Sequence, residues 1–268
     1  MNNENIKVTL KIRLSEYLFN IKKFDVNFII AKVMLDRLYE FPDITIEEIA
    51  YLANTTPSSV TKFCKRIGYN GFTNIKSDAF FQNNNLEYIS NHHTTPKEYY
   101  DTITNGLKNL YDSLYLLYDH KQIDKIAKQL SMAKKVCIIV GMHGFATANF
   151  FEEVMRPFDI IVYEINRNAD LSIIEDCIHE TDMCFIISLT GEWVEQRFSQ
   201  INPKIMKEYQ DKIVILTMQD NLSVPIKQIV SFPPNSYLYS SNIYSSSTEQ
   251  SFFILLAAYL SQYKPSIQ

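Results

Sequence analysis

The sequence predicts an all-α N-terminal domain followed by a doubly wound α/β sandwich with a mainly parallel five-stranded sheet. Three observations carry this expectation. Residues 26–80 read as short capped helices, residues 136–231 hold β-rich apolar runs spaced to leave room for helices, and the interval Gln82 to Pro96 is polar and poorly periodic. The expected division is a domain over 1–81, a linker and the start of a connecting helix over 82–104, and a second domain over 105–268. At 268 residues, each part is long enough to bury a core.

In the first part, Thr45-Ile46-Glu47-Glu48 places a hydroxyl three residues before a carboxylate, the reciprocal capping box of a helix start. That helix runs to about Ala53, with Ile46, Ile49, Ala50 and Ala53 on its inner side. Asn54 and Thr55 break it, and Thr56-Pro57 caps a second helix with proline at its first position, where no amide hydrogen bond is lost. In the second helix Val60, Phe63, Cys64 and Ile67 form the buried stripe, while Ser58, Ser59, Thr61, Lys62, Lys65 and Arg66 face away. Small hydroxyls near the N-terminus suit base edges and the later cations suit phosphates. A merely solvated face would also account for the cations.

In the second part the candidate strands are Val136 to Val140, Ile160 to Ile165, Met183 to Ser188, Lys212 to Thr217 and a weaker Gln228 to Phe232. Their continuous apolar character predicts burial on both faces. Helices are expected over Phe145 to Arg156, Asp170 to Ile178, Val194 to Tyr209 with a kink or break at Pro203, and Val224 to Ile229. Two more precede the sheet, near Tyr99 to Tyr118 and Ile123 to Ala133, and one follows it, Thr248 to Tyr263, with Ser245 to Thr248 as its cap. Strand and helix alternate, so ligands are expected beyond the carboxyl ends of the strands, in the loops after Val140, Ser188 and Thr217.

Composition narrows the function. Hydrophobic residues are 46% and charged residues 21%, the values of an ordinary globular protein. The four cysteines form no CxxC pair and read as reduced core thiols. The polar stretch Met1 to Leu10 lacks the pattern of a secretory signal, and the longest apolar run, Phe252 to Leu260, is too short to cross a bilayer, so a cytoplasmic address without membrane contact is expected. The net charge of −4 is unevenly spread: residues 1–80 carry 11 Lys and Arg against 9 Asp and Glu, or +2, and the remainder 15 against 21, or −6. Asn54 to Ser77 contains Lys62, Lys65, Arg66 and Lys76 and no acid, which makes it the place for phosphate contacts.

The string ITIEEIAYLANTTPSSVTKFCKRIGYNGF, ending in the G-Y-x-G-F of Gly68, Tyr69, Gly71 and Phe72, resembles the helix-turn-helix of the RpiR family of bacterial sugar-metabolism regulators. Lys62 stands where that family usually has arginine, exchanging a bidentate contact for a point charge. From about Leu107 onward the chain resembles a sugar isomerase (SIS) domain, the usual partner of such readers. The matching stretches are Ile123 to Gly141, Ser188 to Trp193 in place of S-x-S-G-x-T, and Ile215-Leu216-Thr217 with the later Ser223. The resemblance implies a regulator binding double-stranded operator DNA as a homodimer or higher even oligomer. It implies a phosphorylated sugar as effector, held by Ser188, Thr190 and Gly191; His143, which stands where the family has glycine, offers a donor or a cation to an acidic ligand. Two departures add bulk: Gly141-Met142-His143-Gly144-Phe145 replaces G-x-G-x-S, and Trp193 replaces a threonine.

No catalytic residue, metal site or cofactor is expected. The scattered acids Glu192, Glu195 and Glu249 offer a base for sugar-phosphate isomerisation, but no nucleophile with an adjacent base, metal cluster or paired carboxylate is legible. His92-His93 reads as solvated linker. The alternatives are a sugar-phosphate isomerase with a helical extension, and a DNA-binding regulator whose SIS-like domain only dimerises.

Overall fold

A computed structural model describes residues 10–20, 24–41, 43–76, 95–219, 221–232 and 242–266, without the side chains of Ile12 and of 242–245. The expected linker over 82–94, with His92 and His93, and the Ser245 side chain lie outside the described residues. The chain divides into two compact units, Met1–Pro96 and Lys97–Gln268.

The first unit comprises α1 (Leu10–Phe19), α2 (Val26–Asp36), α3 (Ile46–Leu52), α4 (Pro57–Arg66) and a short helical stretch at 72–76. Helix α1 was not foreseen, although Leu10, Leu14, Tyr17 and Leu18 fall at helical spacing. Its Leu10 and Leu14 are fully buried with Ile30, Met34, Ile49, Val60, Phe63 and Ile75 in one core. Asp25 caps α2 by accepting from the Phe28 and Asn27 amides, and these bonds, with Phe28 foremost, hold its carboxyl below the usual range.

The capping box at α3 is present in full. The Glu48 amide donates to Thr45 Oγ1 at 3.2 Å, and the Thr45 amide donates to Glu48 Oε2 at 2.6 Å. Thr45→Ala is expected to lower the stability of this unit by ~1 kcal/mol, seen as a lower urea midpoint at unchanged slope. Asn54, at φ 48°, ends α3 in a left-handed turn in which the Thr55 amide donates to Ala50 O and the Asn54 amide to Tyr51 O. Thr56 then caps α4, accepting from the Ser59 amide at 3.2 Å, with Pro57 at the first helical position.

The second unit runs α5 (Pro96–Leu117), α6 (His120–Leu130), β1 (Lys135–Val140), α7 (Phe145–Met155), β2 (Ile161–Asn166), α8 (Leu171–Glu180), β3 (Met183–Ile187), α9 (Glu192–Gln196), α10 (Pro203–Tyr209), β4 (Ile213–Thr217), β5 (Gln228–Ser231) and α11 (Asn242–Leu260). The five strands are all parallel in the order β2-β1-β3-β4-β5. Alternate residues of each strand meet different helices. Cys137, Ile139, Cys184, Ile186, Ile213 and Ile215 pack with Ile174 and Ile178 of α8, Val194 of α9 and Met206 of α10. On the other face Phe185 meets Phe151 of α7 at 5.1 Å and Phe253 of α11 at 5.9 Å between ring centroids. The sheet is therefore doubly wound, and the four cysteines are free thiols.

Four expectations need correction. Val224–Ile229 is not a helix: Pro225 disfavours helical backbone at Val224, and Gln228–Ser231 is taken up by pairing with β4. The single helix expected over Val194 to Tyr209 is already broken at Arg197, and a 3₁₀ turn, Phe198–Gln200, intervenes before Pro203 opens α10. Strand β2 is not buried on both faces, because it lies at the sheet edge and leaves Ile161 54% and Tyr163 41% exposed. Ser245 to Thr248 do not cap the last helix, which starts at Asn242 and includes them.

Candidate nucleic-acid interface and effector loops

Helix α4 is held from beneath by the fully buried Val60, Phe63 and Cys64. At 100° per residue, Ser58, Lys62 and Lys65 form one outward stripe, flanked by Thr61 and Arg66. Not all the expected contact residues are equivalent. Thr56 Oγ1 is the helix cap and lies 3.1 Å from Ser59 Oγ, so these two hydroxyls are occupied with each other. Thr61 Oγ1 donates back to Pro57 O at 3.0 Å. Ser58 is exposed and its hydroxyl makes no hydrogen bond among the described residues; Lys62 and Lys65 make no ion pair among them. Arg66 lies close enough to Asp25 to contribute to lowering that carboxyl. The uncommitted outer face of α4 thus carries Ser58 and Lys62 in front, with Lys65 and Arg66 behind.

The end of α4 is equally well built. Gly68, at φ 91°, turns the chain in the left-handed region, letting the Tyr69 amide donate to Cys64 O at 3.0 Å and the Gly68 amide to Lys65 O at 3.1 Å. Two short helices joined by a fixed turn, with a cationic second helix facing outward, define a helix-turn-helix, a class of DNA reader.

In the second unit the connection after β1 passes through α7 on one face and that after β3 through α9 and α10 on the other, so the crevice between these strands is the switch point of the sheet. Ser188 follows β3 there. It is 2% exposed, its amide donates to Leu216 O at 3.0 Å, its carbonyl accepts from Gly191 N at 2.9 Å, and its buried hydroxyl has no partner among the described residues. Gly191 sits at φ 71°, and a Cβ on it would meet Leu222 Cδ2 at 2.7 Å and Gln219 Cγ at 3.1 Å. The loop after β4 therefore lies directly on the loop after β3. It is fastened by the Met218 amide on Leu189 O (2.9 Å) and by the Ser223 amide on Glu195 Oε1 (2.5 Å). Thr190 is half-buried in this loop, and His143 is exposed in the 3₁₀ turn after β1.

The two departures differ in effect. Trp193 does not crowd the loop: it is buried in the core, with its indole donating to Arg167 O at 3.0 Å and its ring against Phe198. Phe145 does stand half-buried at the start of α7, just past Gly144, whose hydrogen faces Val140 so closely that a Cβ would come within 2.9 Å. Sequence reading undervalued Glu249. It is wholly buried, accepts from Thr147 Oγ1 at 2.5 Å, and burial pushes its carboxyl up to about 7 even though the Thr147 bond pulls the other way.

Residues 22–79 match the family model described as the helix-turn-helix domain of the rpiR family. The chain is 23% identical over 182 residues to an uncharacterized HTH-type transcriptional regulator from the aarA 3' region of Providencia stuartii, covering 60% of this chain and 59% of the relative. It is 24% identical over 174 residues to the HTH-type transcriptional regulator YbbH of Bacillus subtilis, covering 62% and 60%. The matches thus span about three fifths of each relative's length. A solved structure of the Vibrio vulnificus NanR protein complexed with ManNAc-6P superposes over 95% of this chain and 93% of that one, at TM-score 0.47 and 12% identity. Among the described residues no helix is long and apolar enough to cross a membrane.

Proposed function

We propose that the protein is a transcription regulator that binds operator DNA through α4 and changes its affinity when a phosphorylated sugar or related metabolite occupies the crevice beside Ser188. The observation that carries the sensing half is the Ser188 hydroxyl, buried and unpartnered in the loop where an α/β sheet of this order takes ligands. A phosphate oxygen accepting from Ser188, with Thr190 beside it, would satisfy that group. Exposed His143 would add a donor or, once protonated, a cation. Leu222 and Gln219 rest on Gly191, and release of the Glu195–Ser223 fastening between the two loops would give the unit a second arrangement that a metabolite could bind unequally.

Two of the three acids of the isomerase alternative have other occupations: Glu195 holds the Ser223 amide and Glu249 is sealed against Thr147. A homodimer or higher even oligomer would match the pseudo-palindromic sites that such readers use. The deciding experiment is an electrophoretic shift assay on DNA upstream of the gene at low salt, titrated with a panel of aldose and ketose phosphates. The expected result is a shift whose midpoint moves at least about fivefold with one sugar phosphate. No shift with or without sugar phosphates would overturn the DNA-binding reading, and a shift indifferent to the whole panel would leave the α/β unit as a dimerising scaffold.

A further inference from the structure

The family match begins at residue 22, yet helix α1, upstream of it, is built into the reader. Leu10, Arg13, Leu14 and Tyr17 recur at i, i+3, i+4 and i+7, so they share one face. Leu10 and Leu14 are fully buried, and Tyr17 meets the ring of Phe63 on α4 edge-on at 5.0 Å. The fourth member of the stripe is a cation. Arg13 Nη1 donates to the Ile67 carbonyl at 3.3 Å, and its guanidinium lies over the Tyr69 ring, 5.2 Å from the centroid.

The turn at Gly68 explains why a donor is needed there. Its two amide bonds satisfy the Cys64 and Lys65 carbonyls, and the carbonyl of Ile67, the capping residue, is the one Arg13 takes up. Gly68 also leaves the room: a Cβ on it would fall 2.6 Å from Arg13 Nη1. A cation at this end of the helix is favoured by the helix dipole as well. Hydrogen bond, ring stacking and the Tyr17–Phe63 contact together tie the C-terminal half of α4 to α1.

We propose that Arg13 is a positioning residue of the DNA reader, clamping the C-terminal end of α4 so that Ser58, Lys62 and Lys65 meet the duplex in a fixed orientation. The proposal rests on the DNA-binding function above and adds to it a residue outside the matched domain that touches no base or phosphate.

The test uses the full-length chain and a 24-base-pair duplex of its own upstream DNA, with affinity measured by fluorescence anisotropy at several salt concentrations and folding followed by thermal melting. If releasing the clamp leaves about a tenth of the molecules with α4 correctly set, Arg13→Ala weakens binding about tenfold. The plot of log affinity against log salt should shift downward without changing slope, because no phosphate contact is lost. A slope shallower by about one would make Arg13 a phosphate contact and overturn the proposal, as would unchanged affinity. Should Arg13→Ala fail to fold, Tyr69→Leu removes the stacking platform while keeping the charge. Weaker binding at constant slope then supports the clamp, and wild-type affinity overturns it. A wild-type chain that binds no duplex at all defeats the DNA-binding reading itself, a different result from a wild-type chain that binds and an Arg13→Ala chain that binds equally well.

Discussion

Lys62→Glu is expected to weaken duplex binding about a hundredfold at low salt, and Lys62→Ala about tenfold, with the salt slope shallower by about one in the alanine variant. Lys62 lies on the outward stripe of α4, with Ser58 one turn before it, and makes no ion pair among the described residues, so its charge is available to a phosphate. The glutamate adds repulsion to the lost attraction, hence the larger effect. Neither substitution touches the buried Val60, Phe63 and Cys64, and thermal melting should stay within a degree or two of wild type. Anisotropy titration of labelled duplex at several ionic strengths measures both quantities. Wild-type affinity in Lys62→Glu would remove α4 from the interface.

The second large effect concerns Glu249. Its carboxyl is raised from 4.5 to about 7 in the folded chain, first by burial, so the fold prefers the protonated form. For a group raised in the folded state, the associated stability is fully present below the unfolded value near 4.5. It is lost as pH rises through about 7. The difference between the two values corresponds to about 3 kcal/mol over the whole transition, from below pH 4.5 to above pH 7, with the protein less stable at the higher pH. Glu249→Gln keeps an acceptor for Thr147 and removes the titration, and should flatten that dependence. Urea unfolding of both proteins from pH 5 to pH 8.5 measures it, and parallel curves for variant and wild type would exclude Glu249 as the source.

Local chemistry made much of this molecule legible in its sequence. The box at Thr45 and Glu48, the cap and proline at Thr56 and Pro57, and the strands around Cys137, Phe185 and Ile215 depend on neighbours close in the chain or on continuous apolar runs. What escaped depends on partners far away in sequence. Nothing near Arg13 announces that it will meet Ile67, and an apolar strand such as β2 does not reveal that it will stand at an edge. Trp193 looked like an obstruction because its loop suggested a ligand, whereas the turn at Gly191 sends the indole inward to Arg167. The hydroxyls of α4 looked alike in a helical projection, yet Thr56, Ser59 and Thr61 are already spoken for and only side-chain geometry separates Ser58 from them.

The strand order has a consequence for how the polypeptide matures. Helices α2, α3 and α4 of the N-terminal unit each open on a capping residue beside them, so these helices can start to form as soon as they leave the ribosome. The interior strand β1 must instead wait: one neighbour arrives after all of α7, and the other, β3, only after β2 and α8 have also been synthesised. During that interval the apolar Val136 to Val140 has no lateral companion, a window of exposure in which a slow-growing chain would be most prone to aggregate.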